Sequence, residues 1–278
     1  MTTVESVKTQ VRPVTGTIGA EIEGVNLTEP LSDEHYELIH SALMEWGVVF
    51  FRDQPVTLDQ HLDFGRRFGD LHIHPAAPSP DGYPEILVIH ADENSKRVAG
   101  EGWHSDVSAD PEPPMGSILH IETLPPYGGD TLFANMAAAY EDLSEPMKSF
   151  LCGLTATHGS DHVYTGRYSM EAAAKEYPES HHPVVTTHPE TGRRTLFVNS
   201  GFTTKIDGLK REESDALLKM LFEHTKHPKY HVRFRWQPDS IAFWDNRAVQ
   251  HLAVWDYYPQ VRHGYRVTVK GSRPDFKP

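Results

Sequence analysis

Four short apolar runs, "HVRFRW", "SIAFWD", "VQHLAV" and "HGYRVTVKG", fill about the last seventy residues, with turn residues between them. They are rich in the β-branched and aromatic residues that favour strands. No helix-length segment alternates with them, which removes the βαβ repeat from which parallel sheets are built. Many strands with helices toward the front point to a mainly β fold with α additions, its core a jelly-roll-like barrel.

The front half fits that plan. "TIGAEIEGVNL" reads as a short strand or hairpin. Ser32 then offers a helix N-cap with Asp33 and Glu34 in the first turn, and Tyr36, Ile39, Leu43 and Trp46 follow at helical spacing until Gly47. "VVFFRD", "EILVIHA" and "SILHIETL" read as strands, "LDQHLDFGRRFG" as a helix closing at Gly69, and "NMAAAYEDLSEPMKSFL" as a helical stretch after a "PPYGGD" turn. "VVTTHPETGRRTLFVN" suggests two strands around a turn, and "KREESDALLKMLFEHT" a helix with Leu217, Leu218, Leu221 and Phe222 on one face. Residues 160 to 183 fit no strand period and suggest a lid or insertion, because long irregular segments in compact domains are often functional. Neither a linker composition nor a repeat divides the chain, so residues 1–278 are expected to form one domain.

Composition narrows the function. No run of ~18 apolar residues is present to span a bilayer, and the polar "MTTVESVKTQVRP" start lacks a secretory h-region, so the cytoplasm is the expected location. Cys152 is the only cysteine, which excludes thiolate-rich zinc and iron–sulfur sites and leaves N and O ligands for any metal. A net charge of −13 disfavours nucleic acid, whose phosphates must be neutralised by Lys and Arg, and favours a small molecule as partner.

Among 18 histidines, His-x-Asp occurs as His61/Asp63, His90/Asp92 and His104/Asp106. Positions i and i+2 diverge on a helix and share a face on a strand. The helical His61/Asp63 pair therefore splays apart, and His90/Asp92 runs into polar "DENSKR", where a solvated loop explains it. His104/Asp106 lies in an extended-looking stretch and is able to converge on one ion, although a structural histidine remains the commoner case. His251, between two strand candidates, adds a third ligand. Two histidines and one carboxylate with open positions make the facial triad of non-haem Fe(II) oxygenases, whereas structural zinc closes its shell with four ligands. Arg262 and Arg266 share strand parity, and two guanidiniums facing a barrel interior need anionic partners, unless both are exposed on an edge.

"WHSD", "GGDTLFANM", "FVNSGFTTKI", "FWDNRAVQH" and "YYPQVRHGYRVTVKG", in this order, resemble the taurine dioxygenase family of Fe(II)- and 2-oxoglutarate-dependent oxygenases. The resemblance runs from "GAEIEGVNL" to the C-terminal strand. It implies a double-stranded β-helix with Fe(II) on His104, Asp106 and His251. It also implies 2-oxoglutarate held by Arg262 and the hydroxyl of Thr131, which without it reads as a turn residue. O2 would be the oxidant, and decarboxylation to succinate and CO2 would accompany hydroxylation. A carboxylate at Asp106, where related halogenases have a small residue, favours hydroxylation.

The family match further implies that Arg266 and His74 meet an anionic group of the substrate. Ala77 and Gly100 stand where the taurine-using relative has tyrosine and asparagine, which makes a larger or more apolar sulfonate, sulfate ester or carboxylate the expected substrate. Phe202 is expected in the apolar wall, with a purely core role as the alternative, while Trp244 and Asn246 keep their readings as core and turn. Family members commonly form dimers or tetramers, so a homo-oligomer is expected. A non-catalytic metal-binding barrel and a zinc-dependent hydrolase remain open as other readings of the same ligands.

Overall fold

A computed structural model describes residues 8–74, 77–165 and 177–278. Its largest sheet has seven strands in the order Gln10–Pro13, Ala20–Glu23, Val48–Phe51, Ile241–Asp245, Gly116–Thr123, Arg262–Val269 and Ile86–Ala91. All pairings in it are antiparallel except the one between Ala20–Glu23 and Val48–Phe51. A second sheet places Thr131–Asn135 between His231–Phe234 and Val249–Ala253. These two sheets supply the jelly-roll core, and sequence neighbours are seldom sheet neighbours.

"SIAFWD" is apolar without alternation because both faces of its strand are covered. Ala242 and Trp244 pack with Phe50, Ile121, Phe133, Val232 and Val249 between the sheets. Ile241 and Phe243 turn the other way, against Val49, Phe51 and Ile39 and Leu43 of the helix Asp33–Trp46. That helix starts as its sequence predicts: Ser32 accepts from the His35 amide, and Gly47 ends it at φ 71°, a left-handed conformation open to glycine at little cost.

Several boundaries differ from expectation. The second helix spans Leu58–Arg66 behind a Thr57 capping box, stopping short of Gly69. The Ala-rich stretch is two helices, Met136–Glu141 and Glu145–Leu151, because Ser144 restarts the chain in extended geometry with Pro146 in the new first turn. The "DTLFAN" segment before it is a strand, Thr131–Asn135. Residues 160 to 183, read as lacking strands, contain the short helix Asp161–Tyr164 and the strand Glu179–Pro183, which pairs with Thr155–Gly159. Positions 166–176 of the segment expected to be a lid or insertion lie outside the described residues. The "VVTTHPETGRRTLFVN" hairpin is present as Val185–Thr187 paired with Arg194–Leu196. Among the described residues no helix is long and apolar enough to cross a membrane.

Candidate active site

His104 and His251 meet through the backbone. Each donates its amide to the other's carbonyl, at 3.1 and 2.9 Å, as an isolated antiparallel bridge, so the two rings stand with centroids 4.1 Å apart. His251 is fixed within its strand opposite Phe133. Asp106 follows where the chain leaves extended geometry for a turn, helped by Val107 at φ 51°. One ligand atom from each of His104, Asp106 and His251 lies within 4.8 Å of the others, and among the described residues this is the group placed to hold a metal ion. The other two His-x-Asp pairs behave as helix and loop geometry dictates. His61 is buried while Asp63 is 76 % exposed, and His90 and Asp92 form an open surface pair.

The local electrostatics suit a cation. His104 Nδ1 sits 2.8 Å from the Gly102 carbonyl, which puts the ring proton there and leaves the Nε2 lone pair for a ligand bond. Burial, then the His104 ring beside it, holds the His251 pKa well below the ordinary histidine value, so this ring is neutral and able to coordinate. For Asp106 burial opposes charge, but Arg266, His251 and His104 outweigh it and keep the carboxyl ionised well below the usual range. The set is two imidazoles and one carboxylate with no thiolate, which fits the N/O donors of a non-haem ferrous centre.

All eight predicted side chains, His74, His104, Asp106, Thr131, Phe202, His251, Arg262 and Arg266, line one cavity of about 270 Å³. The shared parity of Arg262 and Arg266 survives an irregularity in their strand's pairing, because the extra residue there is Glu122 on the neighbouring strand. Gly264 between them admits no side chain, since a Cβ would lie 2.2 Å from the His120 carbonyl oxygen. Arg266 finds its anion in Asp106, with Nη1 2.5 Å from Oδ1. Arg262 forms no ion pair among the described residues. It is 4 % exposed, donates through Nε to the Gly129 carbonyl at 3.1 Å, and leaves Nη2 without a hydrogen-bond partner among them. Burial lowers its pKa and outweighs the opposing influence of Tyr257 and of the Asp130 carboxylate, which is itself paired with Arg233.

Beside it, Trp236 Nε1 donates to Thr131 Oγ1 at 3.0 Å. An indole only donates, so Thr131 accepts in that bond and retains its own proton for a further acceptor. Two donors therefore converge at this end of the cavity, the guanidinium and the hydroxyl, and they call for a ligand that only accepts.

Elsewhere in the cavity lining, His74 Nδ1 accepts from the Ala77 amide at 3.0 Å, which places the ring proton on Nε2. Burial, then Arg266 and His72, lower its pKa to about 4, so it is a neutral donor at physiological pH. Leu87, Ile89, Val163, Tyr164 and Phe202 form apolar wall. Phe202 is both wall and core, since it also packs on Ala109 and Tyr164. Gly100 lines the cavity, whereas Ala77 does not and acts through its backbone.

Three contributors were not legible as such. Asn246, read as a turn residue, is buried and clamps the Asp106 backbone: its Oδ1 accepts from the Asp106 amide at 2.6 Å, and its Nδ2 donates to the Asp106 and Pro114 carbonyls at 2.9 and 3.1 Å. Ser117 donates to Asp106 Oδ2 at 2.8 Å. Trp236 orients Thr131. Trp244, read as core, is fully buried, and its ring lies 4.6 Å from that of His251.

The family described as taurine catabolism dioxygenase TauD, TfdA family matches residues 10–268. The chain is 35 % identical to an alpha-ketoglutarate-dependent sulfonate dioxygenase of Saccharomyces cerevisiae, over 95 % of this chain and 68 % of the relative. It is also 35 % identical to an alpha-ketoglutarate-dependent sulfate ester dioxygenase of Pseudomonas putida, over 98 % of this chain and 93 % of that protein. A crystal structure described as a taurine dioxygenase from Burkholderia xenovorans superposes with a TM-score of 0.84 at 41 % identity, covering 96 % of this chain and 90 % of the other. These relatives fit an oxygenase and not a non-catalytic barrel or a hydrolytic zinc enzyme; alpha-ketoglutarate and 2-oxoglutarate are the same compound. A jelly roll carrying a buried His-Asp-His group, matched along nearly its whole length, belongs to the TauD/TfdA family of 2-oxoglutarate-dependent dioxygenases.

Proposed function

We propose that this dioxygenase uses Fe(II) and O2 to hydroxylate a small organic anion with an apolar body, a sulfonate, sulfate ester or carboxylate. The observation that carries the reading is the Arg262 guanidinium, its Nη2 unpartnered among the described residues, beside the Thr131 hydroxyl, in the same cavity as the His104, Asp106 and His251 group. His104, Asp106 and His251 would hold the iron, and Arg262 with Thr131 would hold the distal carboxylate of 2-oxoglutarate. When bound, iron and ketoacid supply the oxidative chemistry, in which 2-oxoglutarate and O2 give succinate and CO2 while one C–H bond of the substrate becomes C–OH.

The protein's own part is orientation and exclusion of water. Arg262 and Thr131 fix the ketoacid by charge-assisted and neutral hydrogen bonds to one carboxylate. Arg266 has an unpartnered Nε and His74 a protonated Nε2, and both would meet the substrate anion, while Phe202 and the aliphatic wall bury its body. Sulfonate and sulfate ester relatives support this substrate class. If the carbon that gains hydroxyl bears sulfur or oxygen, the product fragments to a carbonyl compound and the released anion or alcohol. We also propose that the chain acts as a single domain, in a dimer or tetramer, in the cytoplasm.

The test is anaerobic titration of Fe(II) and 2-oxoglutarate into the protein. A weak visible charge-transfer band is expected, lost in His104→Ala. Arg262→Ala should weaken 2-oxoglutarate more than substrate, and Arg266→Ala the reverse, with substrates drawn from a panel of sulfonates, sulfate esters and carboxylates scored by succinate release. No band in the wild type, or one indifferent to His104→Ala, refutes the metal assignment; equal effects of both arginine variants refute the division of roles.

A further inference from the structure

The two carboxylate oxygens of Asp106 have different surroundings. Oδ1 lies 3.6 Å from His104 Nε2, 3.9 Å from His251 Nε2 and 2.5 Å from Arg266 Nη1. Oδ2 accepts from Ser117 Oγ at 2.8 Å. Ser117 is 0 % exposed on the strand Gly116–Thr123, held in register opposite Trp244 on one side and Thr268 on the other. Its hydroxyl has one proton, and that proton is directed at the carboxylate. Asn246 already fixes the Asp106 backbone through both its amide and its carbonyl, so what freedom remains is rotation of the side chain.

We infer that Ser117 is a positioning residue that reserves Oδ2 and confines the metal to Oδ1, making Asp106 a one-oxygen ligand. The inference rests on the metal reading proposed above. Its chemical consequence is a coordination count. Three protein atoms on a six-coordinate ion leave three positions open, two for a chelating ketoacid and one for O2. A carboxylate bound through both oxygens would take one of the three, and a ketoacid would then leave no place for O2. Without the Ser117 hydroxyl, Oδ2 is a buried oxygen lacking a donor, and a neighbouring cation is its best replacement partner. A serine that merely satisfied a core hydroxyl would affect folding stability and nothing at the ion.

The experiment loads wild type, Ser117→Ala and His104→Ala with Mn(II), without 2-oxoglutarate. Metal-bound waters are counted from the broadening of the Mn(II) magnetic resonance in ¹⁷O-water, and Mn(II) affinity is measured by calorimetry. The wild type should carry three exchangeable waters and Ser117→Ala two, with about tenfold weaker Mn(II) binding from loss of an outer-shell hydrogen bond. Three waters in Ser117→Ala overturn the role of Ser117 whatever the affinity. Mn(II) binding unchanged in His104→Ala overturns the metal assignment instead, so the two failures are told apart.

Discussion

Replacing Arg262 by methionine should leave the ligand-free protein about as stable as before and abolish its stabilisation by 2-oxoglutarate. The side chain is 4 % exposed, with one hydrogen bond to Gly129 O and a guanidinium carbon 5.5 Å from the Trp236 ring centroid. Losing those contacts costs about 1–3 kcal/mol for an orphaned buried carbonyl and about 1 kcal/mol for the ring contact. Against this, methionine removes an unpartnered Nη2, relieving about 1–3 kcal/mol, and a desolvated cation whose burial costs several kcal/mol more. The net change falls within roughly 1 kcal/mol of zero or on the stabilising side, so Tm should fall by no more than about 4 °C. Ketoacid at a hundredfold excess over Kd stabilises the wild type by about 2.7 kcal/mol, a rise on the order of 5–10 °C that the variant should lack. Thermal scans with Mn(II), with and without 2-oxoglutarate, measure both effects. A ligand-free variant more than about 8 °C below wild type, or one that keeps the wild-type rise, refutes the reasoning.

Trp236→Phe keeps a ring beneath Arg262 but loses the donor to Thr131; with about 1 kcal/mol at stake, 2-oxoglutarate Kd should rise about fivefold, and an unchanged Kd would show that Thr131 needs no orienting partner. Asn246→Ala orphans the Asp106 amide and carbonyl and the Pro114 carbonyl, so the urea midpoint should drop by the equivalent of about 3 kcal/mol or more; a drop under about 1 kcal/mol means the clamp is dispensable. His61 and His158 are buried, and burial, followed by His120 beside the first and His182 beside the second, lowers each pKa from 6.5 to about 3. Between those values the unfolded chain holds protons that the folded chain does not. The stability these rings contribute is therefore complete above pH 6.5 and lost as pH falls, by up to about 1.4 kcal/mol per unit for each ring. A urea midpoint that stays flat from pH 6.5 to 5 would contradict that sign.

The sequence made legible what depends on local pattern. The helix from Asp33 to Trp46 announces itself by Ser32 and Gly47, and the strand pair of arginines by parity. His104 and Asp106 were separable from His61/Asp63 because helix and strand geometry differ at i, i+2, and from His90/Asp92 because that pair runs into a polar loop. What pattern does not carry is pairing between distant segments. The His104–His251 bridge, the Asn246 clamp on Asp106 and the Trp236 bond to Thr131 all join residues more than a hundred positions apart, and nothing in the local sequence of either partner marks them. Ser117 was equally silent, a small hydroxyl in an apolar run whose direction depends on strand register. The strand at Thr131–Asn135 was missed because "GGD" and "NMAAA" are strong turn and helix signals that flank and overlap it, and the four residues between them give too little alternation to weigh against both.

Arg247 provides the control for Arg262. Both guanidiniums are largely buried, and their surroundings are opposite in kind. Arg247 lies within 2.9 Å of Asp245 Oδ1 through Nε and 2.7 Å of Oδ2 through Nη2, and its Nη1 reaches Glu190 at 2.7 Å; Asp245 is further bonded to the buried His188. Burial opposes the Arg247 charge, but Asp245 and Glu190 reverse the balance and raise its pKa, the opposite of what Arg262 shows. The same fold thus bonds carboxylates directly to one buried arginine, while among the described residues the other has only the more distant charge of Asp130, itself paired with Arg233, so the deficit at Arg262 is local and belongs to the cavity. Arg247→Met removes one partner of a buried pair and leaves Asp245 charged at 1 % exposure, a loss of about 3–5 kcal/mol and at least about 6 °C in Tm. If Arg247→Met and Arg262→Met lower Tm equally without ligand, the guanidinium at 262 is satisfied within the apoprotein, and a carboxylate ligand is no longer needed to explain it.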